Sequence, residues 1–176
     1  MLPNPLHPAV VHFPIVLMFI VPIFAAGAIW AIAWGARHTR AWAIPLALAA
    51  SLSLSALVAV KSGEQQSERV ERVVAEQPIE THEEGAELFL MLSLGLLIIA
   101  AAGLVRGRIG TTARVLATAG GVALAGVGAR VGHTGGQLTY QHGATTVYAA
   151  GSAVGASRAE AARRPDRPRG RPESER

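Results

Sequence analysis

FPIVLMFIVPIFAAGAIWAIAWGA, residues 13–36, contains no Asp, Glu, Lys or Arg, and the same holds for blocks 41–60, 88–105 and 115–129. A helix that crosses a bilayer needs roughly 20 mainly apolar residues. The first three blocks approach or exceed that length, and we expect Arg114 and Arg130 to extend the short fourth block by snorkelling. The sequence therefore predicts an all-α integral membrane protein, a four-helix transmembrane bundle.

Composition supports this interpretation, because only 16% of the residues are charged, against about 25% in soluble domains. Residues 1–150 form the predicted transmembrane domain, with spans at about 12–35, 40–60, 82–105 and 112–132. Residues 151–176, rich in Arg and Pro, form a predicted disordered tail. After the fourth span, over residues 132–150, we expect a short extramembrane hairpin or cap, suggested by apolar and β-favouring residues around a His142-Gly143 turn. These are Leu138, Tyr140, Thr146 and Tyr148.

The polar segment between the second and third blocks predicts a separate surface helix. Residues 64–76 carry valines at helical spacing among charged residues, and Pro78 is expected to end this helix. Thr81 and Glu84 then have the spacing of a capping box, which would place His82 in the first turn of the third span.

Small residues recur every four positions in the fourth block, at Gly121, Ala125 and Ala129. Such a stripe allows two helices, or a helix and a flat cofactor, to approach closely. Helix packing is the simpler of these two explanations.

Short loops rich in Lys and Arg stay in the cytoplasm. Arg37 and Arg40 lie in the first loop, and Arg106 and Arg108 lie in the third. The expected location is the bacterial inner membrane, with both chain termini outside.

With four crossings, five of the six histidines meet at one membrane surface, and only His38 lies on the other. The five are His7, His12, His82, His133 and His142. Imidazole binds haem iron and many transition metals, so this grouping is the main clue to function.

The two ends of the domain resemble a known family. NPLHPAVVHFPI, residues 4–15, resembles the opening His-Pro-x-x-x-His-Phe-Pro-Ile of the bacterial membrane proteins called domain of unknown function 2231. GHTGGQLTYQHG, residues 132–143, is similar to their closing Gly-Gly-x-Leu-Val-Tyr-x-His-Gly, although Thr139 stands where Val is usual. His82 fits the family's histidine at the start of the third helix, whereas Ser62-Gly63-Glu64 replaces an acidic-aromatic pair. The resemblance covers roughly residues 1–150 and implies the same topology and the same histidines.

The first functional hypothesis is a b-type haem site for redox or electron-transfer work. The chain has no cysteine, which excludes covalent c-type haem, but two imidazoles can hold haem iron. We expect His12 and His82 to be the axial pair, with His133 as a substitute. Arg130 is a candidate partner for a haem propionate.

Two alternatives remain open. The five histidines at the predicted outer face could bind a metal ion without porphyrin, or the bundle could be a structural or partner-binding subunit without a cofactor. Expected partners are the lipid bilayer and a respiratory or redox protein, and not nucleic acid. We find no catalytic motif, so the protein is not expected to be an enzyme by itself.

Overall fold

A computed structural model describes residues 7–72 and 74–142. These residues form helices and no strand, which confirms the all-α prediction. Four helical segments are long and apolar enough to cross a membrane, the first of them combining α1 and α2. The helices are α1 (His7–Val10), α2 (His12–Ala33), α3 (His38–Val70), α4 (Glu76–Ala102) and α5 (Gly107–Tyr140).

The helices are apolar on their outer faces as well as inside. Phe13, Ile23, Ile98 and Ile109 are all more than 60% exposed. In a lipid environment this arrangement is favourable, because lipid tails are as apolar as these side chains. The inner faces carry smaller residues, so the helices pack closely.

Each long helix packs against its neighbours in the chain, and α2 also packs against α5, which closes the bundle. The chain therefore runs up, down, up and down. The starts of α2 and α4 and the ends of α3 and α5 meet at one end, called here the histidine end. The short connections 34–37 and 103–106 lie at the opposite end, the turn end.

Helix α3 extends well beyond the second apolar block. The predicted separate helix over residues 64–76 is wrong, because α3 continues unbroken to Val70. Lys61 pairs with Glu64 at 2.8 Å, and the hydroxyl of Ser67 bonds to the carbonyl of Glu64. These local bonds stabilise the last part of α3, residues 61–70, where the outer face is polar.

Helix α4 begins at Glu76, earlier than predicted. The capping box is wrong, because Thr81 lies inside the helix and donates its hydroxyl to the carbonyl of Gln77. Pro78 does not end a helix but lies in the first turn of α4, where a missing amide proton costs little. His82 is consequently in the second turn.

Helix α5 continues to Tyr140, past the predicted end near residue 132. Leu138 and Tyr140 are thus helical, and the predicted hairpin is wrong for this arm. Leu138 packs on Val74 and Ile79, a contact that favours the longer helix. The rest of the predicted cap, from residue 143, and the predicted tail lie outside the described residues.

Arg114 and Trp42 close the turn end. Arg114 is buried, and its guanidinium donates to the carbonyls of Gly103 (2.8 Å) and Val105 (3.2 Å). The prediction that Arg114 snorkels is therefore wrong, because these carbonyls after α4 provide an internal partner. The Trp42 indole is fully buried and donates to the carbonyl of Ala100 at 2.7 Å.

The bundle consists of two similar hairpins. The first hairpin is α1–α3 and the second is α4–α5, and both start and finish at the histidine end. The separation of 75 positions between His7 and His82 also relates buried residues of α2 to buried residues of the second hairpin. These pairs are Pro14 and Phe89, Met18 and Ser93, Val21 and Leu96, Ala25 and Ala100, and Ala28 and Gly103.

The second helices of the hairpins match in the same way, at a separation of 72 positions. The buried pairs of α3 and α5 are Trp42 and Arg114, Pro45 and Ala117, Ala49 and Gly121, Leu52 and Leu124, and Ala56 and Gly128. Because corresponding positions face the core in both halves, a pseudo-two-fold axis runs along the bundle.

Candidate histidine-lined cavity

A cavity of about 740 Å³ opens at the histidine end, between the two hairpins. Its walls are largely apolar and include Val11, Ile15 and Phe89. His7, His12 and His82 also line it, as do three carboxylates, those of Glu64, Glu83 and Glu87. The cavity is within the size range of ligand and cofactor sites, about 300–1,000 Å³.

His7 approaches the cavity from α1 and is held by α3. Its Nδ1 lies 2.9 Å from the carbonyl oxygen of Ala59 and 3.1 Å from the hydroxyl oxygen of Ser62. A carbonyl oxygen can only accept, so Nδ1 carries the proton. In the neutral ring Nε2 is then an unprotonated nitrogen, and it has no hydrogen-bond partner among the described residues.

His82, on α4, is held by α5 in the same manner. Its Nδ1 lies 3.1 Å from the hydroxyl oxygen of Thr134. That hydroxyl donates its own proton to the carbonyl of Val131 at 2.9 Å, so it accepts from His82. Nε2 of His82 again has no hydrogen-bond partner among the described residues.

Each imidazole packs against a glycine of the opposing helix. A Cβ atom placed on Gly63 would lie 3.2 Å from Cε1 of His7, and one on Gly135 would lie 2.9 Å from Cε1 of His82. Both separations are tight for a carbon–carbon contact. The positions of the two rings therefore depend on glycine at these points.

The other predicted site residues occupy different positions at the same end of the bundle. His12 lines the cavity but is exposed, while His133 and Arg130 are exposed and do not line it. Neighbouring helical residues point about 100° apart. Since Val131, Gly132 and Gly135 line the cavity, Arg130 and His133 lie on the other side of α5.

The five histidines are not all gathered around one cavity. His142 instead lines a separate cleft of about 220 Å³, together with Thr134 and Gln137. In residues 7–72 and 74–142, no group of three or more His, Asp or Glu side chains is placed to hold a metal ion.

The buried small residues of α5 are packed against other helices. Gly121 packs against Pro22, and a Cβ on Gly128 would lie 2.8 Å from Phe89. Ala129 of the predicted stripe is exposed. The inner face follows Gly121, Leu124 and Gly128, and its small residues serve helix packing.

The sequence-based interpretation missed Ser62 and Thr134, with their neighbours Gly63 and Gly135. The available signal was a repeat: a hydroxyl residue followed by glycine occurs twice, 72 positions apart, while two histidines lie 75 positions apart. Three matching positions in each half are too few to recognise without the helix packing.

The fold and the cavity define an integral membrane four-helix bundle with paired imidazoles at one end. The chain belongs to the family described as "Predicted membrane protein (DUF2231)", whose model matches residues 3–148. The resemblance noted from the two end motifs is thus confirmed. No curated protein and no solved structure matches the chain.

Proposed function

We propose that the protein is a membrane redox module that binds b-type haem, with His7 and His82 as the axial ligands. One observation carries the proposal: both imidazoles line one cavity, each with Nδ1 bonded to the protein and Nε2 free. Metal-binding histidines commonly donate the other ring N–H to a carbonyl or another acceptor in this way.

The number of available ligands favours haem over an isolated metal ion. Haem iron needs at most two axial side chains, because the porphyrin supplies the other four nitrogens. A metal ion without porphyrin usually takes three or four protein ligands. The absence of such a group among the described residues therefore argues against the non-haem alternative.

The proposed pair differs from the pair expected from the sequence. His12 also lines the cavity, but it is exposed and makes no hydrogen bond within the described residues. An imidazole without a partner is less well oriented for ligation. His7 is half-buried and its Nδ1 has two hydrogen-bond partners, so it is the better ligand to oppose His82.

A haem held by two protein imidazoles would have no open position for oxygen, so it would suit electron transfer. The three carboxylates at the cavity give it a negative edge. We propose that the electron partner is a membrane or respiratory redox protein. The bilayer itself is the other partner, as the apolar outer faces require.

The decisive experiment is an optical spectrum of the full-length protein, purified in detergent from haem-replete cells. We expect a Soret band and, after dithionite reduction, the sharp visible bands of a low-spin haem. His7→Ala and His82→Ala should each abolish the low-spin spectrum, whereas His133→Ala should leave it unchanged. Wild-type protein that shows no Soret band and takes up no added haemin would overturn the proposal in favour of a bundle without cofactor.

A further inference from the structure

We infer that Ser62 and Thr134 are a matched pair of positioning residues, which hold both imidazoles in the Nδ1–H tautomer and leave Nε2 free as the ligand atom. The geometry of the described residues supports this role whatever the cavity binds. Its consequence for haem rests on the proposed function above.

The two hydroxyls occupy equivalent places in the two hairpins. Ser62 and Thr134 are separated by 72 positions, as are Ala59 and Val131, whose carbonyls accept from those hydroxyls. The matching distances agree, because each hydroxyl oxygen lies 2.9 Å from its carbonyl and 3.1 Å from an imidazole Nδ1. Such agreement between two unlike helices indicates one arrangement used twice.

The direction of the hydrogen bonds fixes the tautomer. Each hydroxyl has one proton, and a carbonyl oxygen has already accepted it. The hydroxyl oxygen can then only accept from the histidine, so Nδ1 must be the protonated nitrogen. With Nδ1 as donor, the neutral imidazole has its lone pair on Nε2.

The two halves differ in how strongly each depends on the hydroxyl. His7 has a second acceptor, the Ala59 carbonyl at 2.9 Å, so it retains a partner if Ser62 is changed. His82 has one acceptor that meets hydrogen-bond geometry, the hydroxyl of Thr134, and the carbonyl of Val131 is only a weaker contact. Thr134 should therefore matter more than Ser62.

The glycine that follows each hydroxyl residue completes the arrangement. Gly63 and Gly135 leave room for the Cε1 edge of each imidazole to approach the helix backbone. The hydroxyl thus determines which imidazole nitrogen is protonated, and the glycine determines where the ring lies. Each hairpin thus supplies one oriented imidazole to the cavity, on either side of the pseudo-two-fold axis.

The test is nitrogen NMR of the haem-free, full-length protein in detergent, with ¹⁵N-labelled histidine, at a pH where the imidazoles are neutral. Signals are assigned with His7→Ala and His82→Ala. In the wild type, both rings should show a protonated Nδ1 and an unprotonated Nε2. Thr134→Val should convert His82 to a tautomer mixture without altering His7, and Thr134→Ser should preserve the wild-type signal.

A wild-type His82 with an unprotonated Nδ1 would overturn the inference, even if the Thr134→Val protein failed to fold. An unchanged His82 signal in folded Thr134→Val protein would overturn it as well. Ser62→Ala should have the smaller effect on His7, with Ser62→Thr as its control.

Haemin titration of the same proteins separates the two proposals. Thr134→Val should weaken haem binding by about 10-fold or more, as the loss of a second-shell partner usually does, while Thr134→Ser should not. If the tautomers are as expected but the wild type binds no haem, the proposed function fails and the positioning role stands. If haem binds and Thr134→Val alters neither tautomer nor affinity, the positioning role fails alone.

Discussion

The two hairpins agree at the histidine end and differ at the turn end. At the histidine end each hairpin contributes an imidazole, a hydroxyl and a glycine at matching positions. At the turn end the matching residues are Trp42 and Arg114, which share burial but not chemistry. Trp42 reaches across to α4 of the other hairpin, whereas Arg114 folds back on the turn of its own hairpin.

The two turns also end their helices by different means. Helix α2 ends in a Schellman motif, in which Gly35 has φ +93° and the amide of Ala36 bonds to the carbonyl of Ala31. Helix α4 ends at Gly103 with φ −62°, and Arg114 binds the carbonyls that follow. The repeat of the same hydrogen-bonding side chains is therefore confined to the end with the cavity.

The largest effect should come from Trp42, whose contact joins the hairpins at the turn end. Trp42→Ala removes a fully buried indole and its bond to Ala100, so the free energy of unfolding should fall by about 4 kcal/mol. Unfolding in detergent micelles measures this change. Trp34→Ala is the control, because Trp34 is 78% exposed. A loss for Trp42→Ala as small as that of the control would contradict the packing described here.

Arg114 tests the corresponding position of the second hairpin. Arg114→Leu keeps the aliphatic part of the side chain but removes the guanidinium that donates to two carbonyls. We therefore expect the free energy of unfolding to fall by about 3 kcal/mol in the same assay. Arg108→Leu, at an exposed position near the same turn, should change stability little. Equal results for Arg108 and Arg114 would show that Arg114 does not hold the turn.

Ala56 and Gly128 occupy matching positions, yet only one of them carries a methyl group. Gly128→Ala should destabilise the protein by about 2 kcal/mol, because the new Cβ would press on Met18 and Phe89. Ala56→Gly should cost about 2 kcal/mol, through lower helix propensity and the loss of a buried methyl group. The measurement is again unfolding in micelles, and a stabilised Gly128→Ala protein would refute the close contact.

The two glycines beneath the imidazoles allow a finer comparison. Gly135→Ala should weaken haem binding by about 10-fold, as displaced second-shell contacts do, and Gly63→Ala should weaken it less. The reason is the closer approach at Gly135, 2.9 Å against 3.2 Å at Gly63. Haemin titration followed at the Soret band measures both, and the reverse order would count against this geometry.

The smallest effects should come from Lys61 and His133, a matched pair outside the cavity. Both are exposed, so Lys61→Ala and His133→Ala should each change stability by less than about 0.5 kcal/mol. Haem affinity should also stay at the wild-type value. A strong loss of haem in His133→Ala would restore the sequence-based hypothesis that His133 is a ligand.

The sequence was sufficient for the architecture, because an uninterrupted apolar block has few other stable environments than a bilayer. It was less informative for helix ends. The charged residues after Val60 and the glycines around Thr134 are typical of loops. Local hydrogen bonds keep the first segment helical, and the contact of Leu138 with Val74 keeps the second segment helical.

The candidate ligands show a second reason why sequence was insufficient. The grouping of histidines at one end followed from counting helices, whereas the choice among them depends on helix rotation. His133 and Thr134 are adjacent in sequence, yet only Thr134 bonds to a histidine that lines the cavity. His7 was underrated because its partners Ala59 and Ser62 lie more than 50 positions away.

The matched hairpins suggest that such a bundle could also form from two copies of a single hairpin. The second hairpin contains its own imidazole, hydroxyl, glycine and inward-facing stripe, and both of its ends emerge on the same side. Two identical copies associating about a true symmetry axis would reproduce the cavity with one gene segment half as long. Once the two copies are joined through residues 71–75, the sequence of each half can change independently. Trp42 and Arg114, at matching positions of the turn end, are an example of such a difference.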